Sequence, residues 1–292
     1  MRPPVVFSRR TGLKAAVALG STEWASTAHA GPKWRSLWNG VDLAGWSTWV
    51  GIPHRSRTGL DLPKTPDGNY AEPLGENKDP RGVYSVVKVD GRNALRISGE
   101  LFGALTTEAS FSNYHLYIKW RWGTAQWEPR ATGARDSGVL IHATGAHGQS
   151  GPSHNWMRSI ECQIQENDCG DLWSVGGVRM KAPCRTVEAD DKPALRFDPR
   201  GLMTDVPTGD PSREARVRRG VNSEHPTGKW NVTEIVARRD TGEFKVNGQT
   251  VMRYTNARVN VNGTSTPLDA GRIQLQSEGA EIFFAEVRLR PL

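Results

Sequence analysis

The stretch Arg158-Ser-Ile-Glu-Cys-Gln-Ile-Gln-Glu-Asn-Asp-Cys-Gly-Asp-Leu-Trp173 decides how this chain folds. Ile160, Cys162 and Ile164 alternate with Glu161, Gln163 and Gln165, a period of two that specifies a β-strand with one apolar and one polar face. A solvent-facing strand ordinarily carries Thr, Lys or Ser. A row of carboxylate and amide groups instead forms a hydrogen-bonding wall of the kind that binds sugar hydroxyls. Glu166 then breaks the alternation, and Asp168 and Asp171 follow in a turn-rich stretch.

The same signal recurs along the chain. Strands are expected over 83–89, 94–98, 114–122, 138–143, 160–165, 232–237, 243–251, 272–277 and 282–289. Val246-Asn247-Gly248-Gln249 is a hairpin, because Asn-Gly supplies the positive φ angles of a type I′ turn. Amphipathic helical patterns and internal repeats are absent. Many strands joined by Gly/Pro turns define an all-β fold, a two-sheet antiparallel jelly-roll sandwich. Two Pro- and Gly-rich segments, 51–82 and 185–229, are expected as long irregular loops walling a groove on the sheet.

The N-terminus has a different character. Ser8-Arg9-Arg10-Thr11-Gly12-Leu13-Lys14 is a twin-arginine motif, followed by a short apolar stretch and a small-residue site at Ala28-His29-Ala30. This pattern predicts a twin-arginine signal peptide over residues 1–30, cleavage after Ala30, and a single domain over 31–292 that is periplasmic or secreted. No other segment is long and apolar enough to span a membrane. Residues 1–30 hold Arg2, Arg9, Arg10 and Lys14 against Glu23, so about +4 of the formal +7 belongs to the remainder. That balance is mild. The basic residues are scattered apart from one cluster at Arg213–Arg219, expected as a solvated loop, and no nucleic-acid-binding motif accompanies them. The three cysteines, Cys162, Cys169 and Cys184, form no C-x-x-C pair, which argues against structural zinc. In an oxidising compartment Cys169 and Cys184 are spaced to bridge.

Candidate chemistry lies on several polar faces. Tyr114 to Arg121 alternates cleanly, placing His115, Tyr117, Lys119 and Arg121 together, with Lys119 and Arg121 expected to meet the carboxylates of the Glu161 strand. Asp136, Gly138, Leu140 and His142 share a face of a regular strand, which makes His142 a candidate general base or metal ligand. Gln274, Gln276 and Glu278 repeat the Glu/Gln wall. Among eleven tryptophans, Trp120 belongs to the core pattern, whereas Trp122, Trp127, Trp156 and Trp173 flank loops where an indole can stack on a sugar. Glu161 to Glu166 also approximates E-x-D-x-x-E, the pattern by which laminarinase-type retaining glycosidases present two glutamates, with Gln163 replacing the central Asp.

Leu37-Trp-Asn-Gly-Val-Asp-Leu-Ala-Gly-Trp46 resembles the opening L-F-N-G-x-D-L-x-G-W motif of the 3-keto-disaccharide hydrolase family. Asp136-Ser-Gly138, Ile160 to Ile164, Trp230-Asn231, Val246-Asn-Gly248, Leu275 to Gly279 and the closing Ala285 to Leu292 resemble its further blocks in order, from about Trp34 to the end. Where many relatives carry Asp-His-Gly, this chain has Ser277-Glu278-Gly279. The resemblance implies a concanavalin A-like sandwich acting on 3-keto-glycosides, with an upstream glycoside 3-oxidoreductase supplying the ketone. A C3 carbonyl acidifies the C2 proton; a base removes it, an enolate forms, the aglycone leaves C1, and water adds back. On this scheme His142 or Glu161 suits the base and Glu166 or Glu278 the acid. Lys119, Arg121 or a divalent metal ion holds the enolate oxygen. Asp136, Gln163, Gln276 and Trp173 complete the expected substrate-binding set. The alternatives are a retaining jelly-roll glycosidase and a non-catalytic carbohydrate-binding sandwich.

Overall fold

A computed structural model describes residues 32–150, 154–189, 192–208 and 216–292. The expected signal peptide and Arg213 lie outside the described residues. Every regular element among those described is a β-strand. The hydrophobic period explains why. Along Tyr114–Gln126, Leu116, Ile118 and Trp120 are fully buried and Trp122 nearly so, while His115, Tyr117, Lys119 and Arg121 alternate outward. Each large apolar side chain buried this way contributes about 1.5–3 kcal/mol. The Trp120 indole N–H donates to Thr233 Oγ1 at 2.9 Å, so its one polar atom is satisfied inside the core.

The strands form two layers. The back sheet runs Tyr84–Val89, Arg92–Ile97, Ala280–Pro291, Tyr114–Gln126, Asn231–Arg238, Thr241–Val246 and the first half of Gln249–Val261, all antiparallel. The front sheet runs Gly75–Glu76, Trp46–Val50, Gly103–Thr107, Arg272–Ser277, Asp136–Thr144, Arg158–Gln165, Leu172–Val175 and Arg216–Arg218. The 13-residue strand Gln249–Val261 joins the layers: its second half pairs with Arg179–Ala189 of the front sheet. The Asn247-Gly248 hairpin forms as expected, with φ of 48° and 82°.

Bulges keep the core faces in phase. In Ala280–Pro291 the register shifts at Ala285, so buried Ile282 and Phe284 are followed by buried Val287 and Leu289. A second shift, between Ile141 and Thr144, has a consequence for the site described below.

The 51–82 segment is largely irregular. The 185–229 segment is not: Lys192–Phe197, Leu202–Asp205 and Arg216–Arg218 are strands, and Lys192–Phe197 runs parallel to Arg216–Arg218. Two further expectations fail in the same region. Cys162, Cys169 and Cys184 are all free and buried, with Cys169 Sγ 3.9 Å from Thr233 Oγ1 in the core, so Cys169 and Cys184 do not bridge. Arg216 and Arg219 are not solvated. Their guanidiniums are clamped by Asp168 and Asp171 at 2.7–3.3 Å.

Candidate active site

The face of the front sheet turned away from the core carries a cavity of about 310 Å³, within the range of small-molecule sites. Register builds its floor. One row across six strands reads Thr106, Gln274, Leu140, Glu161, Trp173 and Arg216; beside it, Gln276 opposes Ala104 and Gly138 opposes Gln163. Ala104, Leu140, Trp156 and Val175 form a small apolar cluster against which Trp173 packs. The result is an apolar base with acids and amides at its edges.

Gly138 is required by close approach. A Cβ there would lie 2.2 Å from Glu161 Oε1 and 2.8 Å from Gln276 Oε1. The Glu161 carboxyl and the Gln276 amide therefore occupy the space above a strand position that lacks a side chain.

Three carboxyls share this pocket with Arg130, which arrives on the loop after Gln126. That loop is pinned by the Trp127 N–H donating to Gly279 O at 2.8 Å. Arg130 contacts Glu278 Oε1 at 2.5 Å and Asp136 Oδ2 at 2.7 Å, and the same Asp136 oxygen accepts from Gln165 Nε2 at 2.8 Å. Glu161 has no ion pair among the described residues. Asp136, Glu161 and Glu278 are 1, 5 and 7% exposed. Burial pushes all three carboxyls above their ordinary range, and Glu278 adds repulsion at both Asp136 and Glu161. Burial works against the Arg130 charge, but Glu278 and Asp136 outweigh it and hold its pKa above the usual value. One guanidinium cannot neutralise three anions in so dry a site, so burial and the Glu278 charge favour the protonated form of Glu161, which has no cation in contact.

Asp136 Oδ1, Glu161 Oε1 and Gln276 Oε1 are buried without a hydrogen-bond partner among the described residues. Polar atoms left unpaired in a cleft call for a hydrogen-bonding ligand, which a polyol supplies. Trp173 forms a side wall, with the Arg216 guanidinium 5.4 Å from its ring centroid. Trp156 is anchored by its N–H to Gly103 O at 3.2 Å.

Of the residues expected from sequence, Asp136, Glu161, Gln163, Gln276, Glu278 and Trp173 line this cavity. Lys119 and Arg121 do not, because Tyr114–Gln126 belongs to the back sheet; they lie against Trp230 there. His142 does not either. Its φ of 51°, at the register shift, turns it off the outer face, and its ring lies 5.7 Å from buried Tyr114 with Nδ1 3.2 Å from Leu268 O. Burial lowers its pKa to about 4, which suits a neutral core imidazole. Glu166 is drawn to Arg135 at 3.1 Å and to the Thr227 hydroxyl, beside a different cavity. Burial opposes its charge, but Thr227 and Arg135 prevail and hold its pKa below the ordinary value, so it is poorly suited as an acid. The two glutamates of the E-x-D-x-x-E pattern thus part company. Sequence reasoning missed Arg130, for which a loop position carried no signal, and Arg216, whose cluster resembled a solvated run. Among the described residues no group of three or more His, Cys, Asp or Glu side chains is placed to hold a metal ion.

This fold and this acid-and-amide cleft are those of a carbohydrate-active β-sandwich. The 3-keto-alpha-glucoside-1,2-lyase-like domain family matches residues 33–290, and the chain belongs to that family. Among solved structures, a putative glycosyl hydrolase from Parabacteroides distasonis is similar at 14% identity, covering 89% of this chain and 94% of its own, with a TM-score of 0.46. The carbohydrate-binding module CBM66 from Bacillus subtilis is similar at 10% identity, over 71% of this chain and 91% of its own, with a TM-score of 0.40. A Bacillus licheniformis beta-glucanase is similar at 8% identity, over 90% of this chain and 99% of its own, with a TM-score of 0.37. None of the curated proteins compared matches the sequence.

Proposed function

We propose that the chain cleaves 3-keto-glycosides by removing the C2 proton and eliminating the aglycone from C1, with water then adding back to give the free 3-keto-sugar. The observation that carries this reading is the imbalance of one guanidinium among three buried carboxyls, with Glu161 outside the ion pairs. Groups whose environments push their pKa values apart divide naturally into acid and base. Glu161, held protonated, is the acid that protonates the departing oxygen. Glu278, kept partly ionised by Arg130, is the base for C2. This exchanges the roles that sequence alone favoured.

Arg130 gains a second role. As Glu278 takes the C2 proton it loses its charge, and the electrons of the broken C–H bond move onto the C3 oxygen. The guanidinium that had faced Glu278 is then free to stabilise that oxygen, at the moment charge develops there. Lys119 and Arg121 are not needed for this step. Trp173 and Trp156 would hold the sugar ring, and the unpaired acceptors Asp136 Oδ1 and Gln276 Oε1 would take its hydroxyl protons. The separation of Glu166 from Glu161 removes the carboxyl pair of the E-x-D-x-x-E pattern, so the reading as a laminarinase-type retaining site loses its sequence support.

The test is turnover of a matched pair, a glucoside and its 3-keto counterpart, with and without chelator. Cleavage of the keto compound alone supports the proposal, and equal cleavage of both contradicts it. A reaction that starts from a ketone also needs an upstream oxidation at C3, assigned here to a glycoside 3-oxidoreductase. We further propose export through the twin-arginine route. Changing Arg9 and Arg10 together to Lys should trap precursor in the cytoplasm, and normal export of that variant would argue against it.

A further inference from the structure

The two-layer fold leaves a second cavity, of about 340 Å³, on the outer face of the back sheet and away from the cleft just described. Its origin is a fork. The Ala280–Pro291 strand pairs with Arg92–Ile97 only as far as Phe284 opposite Leu95. Its edge is taken up again where Leu37 N–H donates to Val287 O at 2.8 Å. Between those points the bulge at Ala285 and the diverging hairpin around Arg92 and Asn93 open the sheet.

The cavity lining holds two acids, Asp90 and Glu286, and two bases, Arg92 and Lys119, and two arginines just outside it tilt the balance positive. Asp90 is engaged by Arg121 at 3.0 Å and by the Trp230 indole N–H at 3.1 Å, and Glu286 is engaged by Arg288 at 3.0 Å. Both acids are thus matched by cations outside the cavity. Lys119 and Arg92 line it and have no ion pair among the described residues. Trp230, half-buried, supplies a rigid aromatic wall. It is fixed at its N–H by Asp90 and approached by Arg121 at 4.8 Å and Lys119 at 5.7 Å from the ring centroid. Asn93 adds an amide, already oriented by donating to Gly40 O at 2.7 Å.

An aromatic wall, two unpaired cations and surrounding hydrogen-bonding groups select a ring that carries both hydroxyls and a negative charge. We propose that this fork is a second binding site, for a saccharide bearing a carboxylate. Trp230 packs against the sugar ring, and Lys119 and Arg92 hold the anion. The site would tether the protein to an acidic glycan while the cleft on the opposite sheet stays open, and it does not depend on what the cleft does.

Binding of D-glucuronate, D-glucose and acetate to the full chain, followed by titration calorimetry and by the indole N–H signal of Trp230 in NMR, tests the proposal. Glucuronate should saturate in the roughly millimolar range expected of so small a ligand and shift the Trp230 signal. Glucose should bind at least about tenfold more weakly. Acetate should not compete at equal concentration. Lys119→Ala, at a half-buried position on the outer face of the back sheet, should weaken glucuronate roughly fivefold, Trp230→Phe should weaken it as well, and the cleft variant Gln163→Ala should bind as the parent does. The proposal is overturned if glucuronate does not saturate, if glucose or acetate binds equally well, or if Gln163→Ala abolishes binding while Lys119→Ala and Trp230→Phe keep it.

Discussion

Gly138→Ala separates the site from the fold. The glycine does not have a positive φ, so alanine is compatible with the backbone, and the strand gains about 0.5–1 kcal/mol from the lost chain entropy. The new methyl would fall 2.2 Å from Glu161 Oε1 and 2.8 Å from Gln276 Oε1, whereas ordinary van der Waals contact begins near 3.4 Å. The carboxyl must therefore retreat by about 1.2 Å. It is the far end of a flexible side chain, so the retreat is cheap for stability, no more than the roughly 1–3 kcal/mol of an overpacked site. For chemistry it is not cheap, since a misplacement of about 1 Å costs on the order of a hundredfold. The expected result is kcat/KM on a 3-keto-glucoside lowered about a hundredfold, mainly through kcat, with Tm shifted by only a few degrees. The assay is steady-state kinetics beside a thermal melt. Activity within a few-fold of the parent would show that Glu161 does not act from the position seen here.

Three further substitutions, one in the site and two outside it, have definite expected outcomes. Glu161→Gln should lower turnover by about a hundredfold or more. It should also raise Tm at pH 8. In the unfolded chain a glutamate ionises near pH 4, whereas buried Glu161 holds its proton to higher pH, so the parent loses stability as pH rises through that window. The gain from the amide should shrink toward zero as pH falls to about 4, and an unchanged Tm at pH 8 would contradict the burial argument. His142 titrates at about 4 when folded but near 6.5 when unfolded, so it contributes stability above pH 6.5 that is lost on acidification, up to roughly 3 kcal/mol by pH 4. His142→Asn, which tolerates the positive φ, should flatten the acid limb of a Tm–pH profile; an identical slope would refute this. Glu166→Gln should leave kcat/KM within about fivefold of the parent, since Glu166 lies beside a different cavity and gives up only a partly exposed ion pair worth at most about 1 kcal/mol; a large loss of activity would return Glu166 to the site.

The sandwich was legible because most of its strands keep a strict period of two, as in Ile160, Cys162 and Ile164. The strands at 192–197, 202–205 and 216–218 were not, because short runs between prolines and glycines look like loop and gain their partners only in the sheet. The site was half legible for a related reason. Alternation reveals that a strand has a polar face but not which sheet carries it. Lys119 and Glu161 obey the same pattern, yet they point outward from opposite sides of the molecule. His142 was lost to a bulge that changes the face for one residue. Arg130 could be found only in three dimensions, since its place depends on a loop tied to Gly279, some 150 residues away.

In the proposed reaction, cleavage begins with loss of the C2 proton. A 3-keto-glucoside deuterated at C2 tests it most directly, with turnover rates and the isotopic content of the product measured together. Loss of the C2 proton should give a primary isotope effect when proton removal limits the rate, and hydrogen from solvent at C2 of the released 3-keto-sugar. Full retention of deuterium at C2, with no isotope effect, would contradict it and point to displacement at C1.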